Sequence, residues 1–208
     1  MAHFQRAVSA AVVLNTAIVI GEAVAGFQAN SLSLLVDSVH NFSDELALLC
    51  LYLAFFLPTY LGRQSQRTAN VFNSLGLITL CGLAIVQAVV RFQHPQEVYG
   101  LIPILAGFAA ATANYGVARL LREMANHNAT ARLAYLHNKS DVVVSLAPVL
   151  AGTLVFLTGR NEADALVALA VAAWLAVSTA REVRASANEL LWPERVECIH
   201  PEGAVGHS

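Results

Sequence analysis

The sequence predicts an all-α integral membrane protein, a bundle of six transmembrane helices. Three observations carry that expectation. Of its 208 residues, 57% are hydrophobic and only 12% are charged, about half the charged share of an ordinary soluble domain. The mean hydropathy is +0.58. The apolar residues gather into long runs separated by short breaks. Backbone left unpaired in hydrocarbon restricts spanning structures to helices and closed barrels. The runs lack the period-2 alternation of barrel strands, so helices remain.

A helix needs about 20 mostly apolar residues to cross a bilayer core of roughly 30 Å. Six runs meet that need, at about 7–27, 31–57, 68–92, 98–123, 131–157 and 163–181. The first continues to Phe27 without a small-residue cleavage pattern and is expected as a retained helix. It breaks at Gln28 to Asn30, and the second run breaks at Pro58 to Arg67. The third ends at His94-Pro95. The fourth carries Gly107, Ala109, Ala110, Ala111, Ala113 and Gly116, small residues that let a neighbouring backbone come close, and ends at Asn126 to Thr130. The fifth ends at Gly159 to Asn161. Residues 1–186 therefore read as one membrane domain, and 187–208 as a short polar cytoplasmic tail.

Cytoplasmic connections are enriched in Lys and Arg. Of twelve such residues, nine fall on the side that holds both termini, from Arg6 through Arg63 and Arg119 to Arg195. Arg91 and Arg160 fall on the other side, and Lys139 lies within the fifth span. This places both termini in the cytoplasm, and a bacterial inner membrane suits the chain. The net charge of -2 offers nothing to a nucleic acid. Cys50 and Cys81 sit in apolar runs and Cys198 near the end, which is no disulfide framework. Packing is the role expected of the first two.

Charge inside a bilayer is expensive, about 2.5–3.5 kcal/mol per residue at a helix centre on insertion scales. Two spans hold most of it: Asp37, His40, Asp44 and Glu45 in the second, and His137, Lys139 and Asp141 in the fifth. The segments His40-Asn41-Phe42-Ser43-Asp44 and His137-Asn138-Lys139-Ser140-Asp141 agree at four positions of five. Residues four apart share a helix face, so each helix offers an imidazole and a carboxylate together. Two such helices facing each other supply two nitrogens and two oxygens, a set suited to tetrahedral Zn²⁺. The two aspartates would neutralise the ion. One His-x-x-x-Asp pair alone is as compatible with a hydrogen bond between helices; the duplicate favours a metal.

Lys139, two positions from both ligands, is expected to face elsewhere. Asn41, Asn138, Ser43 and Ser140 are expected to hold the ligands or the helix contacts rather than bind metal. Glu22 and Asp37 are left open between lining a hydrated path and bonding neighbouring helices. The tail ligands Cys198, His200 and His207 read as a weaker metal-capturing possibility, and His94 and His127 as polar loop residues.

At these residues the sequence resembles the cation diffusion facilitator family, whose members use paired His/Asp motifs in the second and fifth membrane helices. Asn30-Ser31-Leu32-Ser33-Leu34-Leu35-Val36-Asp37-Ser38-Val39-His40, leading into Asp44, is similar to the family's second-helix signature. Glu162-Ala163-Asp164-Ala165-Leu166 is similar to the start of its sixth helix, so the resemblance runs from about Ala7 to Leu191. It implies a homodimeric, proton-coupled exporter of Zn²⁺ or a related ion from the cytoplasm, with the site on His40, Asp44, His137 and Asp141. The chain reads as a short member without the family's usual C-terminal cytoplasmic domain. Its 58–70 connection has none of the histidines that many members carry there.

The expectation is a secondary active transporter, not an enzyme, with Zn²⁺ as cargo and Cd²⁺ or other transition metals tolerated by the same ligands. An emptied site would carry about two negative charges into a low-dielectric bundle, so protons are expected as the counter-ion. An unperturbed imidazole titrates near pH 6.5, which suits that exchange. A membrane metalloenzyme is disfavoured by the absence of a His-Glu-x-x-His motif. The remaining rival is a metal-binding subunit that does not transport, serving as partner of a full-length transporter.

Overall fold

The computed structural model describes residues 2–54, 59–125, 135 and 139–185. The described residues form helices joined by short connections: α1 Ala2–Ala29, α2 Leu32–Ala54, α3 Thr59–Gln93, α4 Leu101–Ala125, α5 Leu146–Thr158 and α6 Glu162–Ala185. Residues 139–144 are helical and lead into α5, so the fifth membrane segment runs Lys139–Thr158. The expected tail 187–208, with Cys198, His200 and His207, lies outside the described residues, as do His127, His137 and Asn138.

Five segments are long and apolar enough to cross a membrane: Val12–Ala29, Ser74–Gln93, Leu101–Leu120, Lys139–Thr158 and Glu162–Arg181. The missing one is α2. Its 23 residues would reach across the hydrocarbon at about 1.5 Å each, but Asp37, Asp44 and Glu45 make it the most acidic of the six runs. Its position explains how it carries that charge. α2 touches every other helix and sits at the hub of the bundle.

The molecule is built with its polar groups inside and its apolar groups outside. Asn15, Glu22, Asp37, His40, Asn41, Asn114 and Asp141 are buried, whereas Phe27, Val143 and Leu157 are exposed. Lipid-facing helices require this, since the only polar environment available to those side chains is the interior. An apolar cluster of Leu32, Val36, Leu77, Cys81, Ala88, Ala168 and Ala172 binds α2, α3 and α6 together, and Cys81 has the packing role expected of it.

The helix ends have local causes. α1 stops in a Schellman motif: Asn30 takes φ 51°, its N–H bonds to the Phe27 carbonyl at 3.3 Å, and the Ser31 N–H to the Gly26 carbonyl at 3.0 Å. Asparagine tolerates this left-handed conformation better than most residues. α5 stops at Gly159, φ 69°, whose N–H returns to the Val155 carbonyl at 2.8 Å. The fifth segment is not one uninterrupted helix. Pro148 has no N–H for the Val144 carbonyl, and the helix loosens at Ser145, though the Ser145 N–H still reaches the Asp141 carbonyl at 2.8 Å.

One expected connection is helical instead. Residues 59–67 belong to α3, which at 35 residues is about 52 Å long and exceeds the hydrocarbon thickness. Apolar runs locate where a helix crosses lipid, not where it begins; a polar stretch carrying Gln64, Gln66, Arg63 and Arg67, good helix formers, continues the helix without needing lipid.

Of the small residues of the fourth run, Gly107, Ala110 and Ala111 are buried, whereas Ala109 is exposed. A Cβ on Gly107 would meet the Val149 side chain at 2.8 Å and the Ser145 carbonyl at 2.9 Å. One on Gly152 would fall 2.5 Å from the Gly100 carbonyl. α4 thus lies against the fifth segment at backbone distance.

Candidate metal centre

α2 presents its charged residues to the interior because its other face, Leu32 and Val36, is committed to the α3–α6 cluster. His40 and Asp44, one helical turn apart, converge so that His40 Nε2 is 3.6 Å from Asp44 Oδ2. From the fifth segment, Asp141 Oδ1 comes to 3.3 Å from the same nitrogen. One ligand atom from each of the three residues lies within 4.8 Å of the others. His40 and Asp141 are buried, and Asp44 is nearly so.

These separations have a chemical meaning. In a tetrahedral site with metal–ligand bonds of about 2.0–2.1 Å, adjacent ligand atoms are about 3.3–3.4 Å apart. The two separations from His40 Nε2 sit at, and slightly above, that edge length. Three of the four expected ligands are therefore assembled around one point, while His137 lies outside the described residues. Lys139 is exposed and points away, as its two-residue offset required.

The surroundings hold α2 in place at both ends. At its start, the Leu34 N–H bonds to Ser31 Oγ at 3.3 Å, an N-cap. Asp164, from the first turn of α6, takes the Leu32 N–H at 2.6 Å, the Ser31 hydroxyl at 2.7 Å and the Ser33 hydroxyl at 2.6 Å. A carboxylate at a helix N-terminus also meets the positive end of the helix dipole. Beside it, Arg91 donates to the Asn30 carbonyl at 2.7 Å and to Asn30 Oδ1 at 2.8 Å, while Asn30 Nδ2 donates to the Glu97 carbonyl at 3.0 Å. Toward the other end of α2, Thr16 Oγ1 donates to Glu45 Oε1 at 2.7 Å.

Asn41 takes a supporting role, as expected: its Nδ2 donates to Glu22 Oε2 at 2.7 Å and ties α2 to α1. Ser145 and Asn114 were not singled out from the sequence. Asn114 Nδ2 donates to Ser145 Oγ at 3.2 Å, linking α4 to the segment that carries Asp141. The anchoring by Asp164 was also missed. Ser31 ahead of an apolar helix is a readable N-cap signal, but nothing local says that an acid 133 residues away completes it. His94 is exposed in a connection, as its sequence context indicated.

Comparison with known proteins yields a consistent set of relatives. The family described as the cation efflux transmembrane domain matches residues 8–191. A cadmium, cobalt and zinc/H(+)-K(+) antiporter of Bacillus velezensis is 31% identical over 170 residues, 77% of this chain and 54% of the relative. Its namesake in Bacillus subtilis is also 31% identical, over 77% of this chain and 55% of the relative. The zinc transporter ZitB of Escherichia coli is 29% identical over 179 residues, 82% of this chain and 57% of the relative. The chain thus spans a little over half the length of these relatives.

Proposed function

The chain belongs to the cation diffusion facilitator family, and from that premise we propose that it carries divalent metal out of the cytoplasm, with Zn²⁺ as leading cargo and protons returning in exchange. The observation that carries this reading is the convergence of His40, Asp44 and Asp141, with both aspartates 3.3–3.6 Å from His40 Nε2, close to the edge of a tetrahedral site. His137, four residues before Asp141 as His40 is before Asp44, is proposed as the fourth ligand. The relatives' names as zinc transporters and as a cadmium, cobalt and zinc antiporter support the metal class. The antiporter's name supports the proton. The mixed imidazole and carboxylate set suits Zn²⁺ and tolerates Cd²⁺ and Co²⁺.

The cycle follows from the charge on the site. Metal reaches His40, Asp44, His137 and Asp141 from the cytoplasmic side of the bundle, toward which Asp44 lies one turn beyond His40 on α2. The helices carrying the two pairs then shift to open the opposite end. Protons take the ligands as the ion departs, because an empty pair of carboxylates in this interior would be uncompensated. The protein acts as a secondary active carrier rather than as an enzyme. It works as a homodimer in a bacterial inner membrane with both termini cytoplasmic, the orientation given by the arginine distribution.

The deciding experiment is Zn²⁺ uptake into proteoliposomes with the lumen acid, comparing the wild type with Asp44→Ala at equal incorporation. Uptake by the wild type that vanishes in the variant is the expected result. Equal uptake by both would overturn the site. Tight Zn²⁺ binding without uptake by the wild type would make the chain a non-transporting partner.

A further inference from the structure

Glu22 on α1 and Asp37 on α2 take no part in the cycle above, yet they are among the most deeply buried acids in the molecule, 2% and 1% exposed. Their carboxyl groups face each other. Glu22 Oε2 is held by Asn41 Nδ2 at 2.7 Å. Glu22 Oε1 and both oxygens of Asp37 take no N–H donor, the contacts open to them being each other and the Ser145 hydroxyl, and among the described residues no Lys or Arg pairs with either acid. Ser145, on the segment that carries Asp141, lies beside Asp37, and its Oγ is bonded by Asn114, whose Oδ1 is likewise buried without a donor.

Two carboxyls aimed at each other in a dry interior, with no cationic side chain beside them among the described residues, form an arrangement that a cation completes. Like charges at short range repel, and burial without a partner adds to the penalty. The ligand atoms on offer there are oxygens, from Glu22, Asp37 and Ser145, while Asn41 presents an N–H to Glu22. An all-oxygen set favours hard divalent ions and holds Zn²⁺ less tightly than a site with imidazoles. Asp37 precedes His40 by three residues, which places the pair about 4.5 Å nearer the start of α2 along its axis. That is the end that the carrier reading opens for release.

We propose that Glu22 and Asp37 form a second, all-oxygen divalent-cation subsite, one helical turn from His40 toward the N-terminal end of α2, with Asn41 orienting Glu22. Cargo leaving the His/Asp site is received there before release. That use rests on the carrier reading, whereas the binding itself does not.

The test uses the full chain in nanodiscs, with Zn²⁺ binding measured by equilibrium dialysis and Mn²⁺ binding by electron paramagnetic resonance. The wild type is expected to bind a second, weaker divalent equivalent. The double variant Asp44→Ala/Asp141→Ala should lose the tight Zn²⁺ equivalent and keep Mn²⁺. Adding Glu22→Gln or Asp37→Asn to it should weaken Mn²⁺ at least tenfold. Glu22→Gln alone should retain the tight Zn²⁺ equivalent, which also reports an intact fold. A single equivalent in the wild type would overturn the subsite and leave the pair holding a proton. Mn²⁺ binding indifferent to Glu22→Gln and Asp37→Asn would also overturn it, as would loss of both equivalents in those variants, which would make the pair a structural contact. Failure of the carrier reading looks different: no Zn²⁺ flux, with Mn²⁺ binding at the pair intact.

Discussion

At the scale of single residues, His40 is the pivot, because both carboxylates approach the same ring nitrogen. Replacing Asp141 by Ala removes one edge of the proposed polyhedron from a buried site. The expected outcome is a loss of Zn²⁺ affinity of tenfold or more, read by competition with a zinc chelator, with the helical content unchanged in circular dichroism. Asp164 carries a different load. Its replacement by Ala would leave the Leu32 N–H and the hydroxyls of Ser31 and Ser33 buried without their acceptor. Each orphaned donor costs about 1–3 kcal/mol. Thermal unfolding in detergent should therefore show a lower midpoint for Asp164→Ala even in the absence of metal, which separates anchoring from ligation.

Among the elements, the contact between α4 and the fifth segment sets where Asp141 sits. Gly107 and Gly152 let the two backbones meet, and any side chain there would overlap a backbone carbonyl, of Ser145 or of Gly100 respectively, besides neighbouring side chains. Gly152→Leu is expected to force the helices apart at about 1–3 kcal/mol, the usual range for overpacking. Because Ser145 and Asp141 ride on the same segment, the displacement should also weaken Zn²⁺ binding, whereas Gly82→Leu, with open space around it, should leave binding unchanged. Dialysis of the two variants side by side checks this. The interruption at Ser145 belongs to the same element: Pro148 leaves the turn above Asp141 short of one rung, a natural place for the segment to bend during the cycle.

For the whole molecule, proton exchange predicts a direction. An acid lumen should accelerate Zn²⁺ uptake and an alkaline lumen should slow it, since outward proton flow drives inward metal. Flux that ignores the gradient would remove the proton and leave the metal site standing. Binding to the folded state alone also stabilises it, by about 2.7 kcal/mol at a metal concentration 100 times the dissociation constant. A rise in the unfolding midpoint with Zn²⁺, absent in Asp44→Ala, is the expected signature. An inverted interior of this kind, polar at the hub and apolar outside, leaves the protein dependent on its α2 contacts more than on its outer faces.

Composition and periodicity by themselves determined the class of molecule and nearly every helix, because the requirement that backbone be satisfied in lipid is strict and local. The duplicated His-x-x-x-Asp motif likewise determined which side chains share a face, since a helix repeats every 3.6 residues wherever it forms. Only the tertiary structure decided what those faces meet. That His40 lies 3.3 Å from Asp141 depends on how α2 packs against the fifth segment, whose own place against α4 rests on glycines that report crowding only once a neighbour is present. The anchoring of α2 by Asp164 joins residues more than 130 positions apart, and the Glu22–Asp37 pair joins two helices by their buried sides. Helix geometry is written in neighbouring residues; contacts between helices are fixed by the folding of the whole bundle.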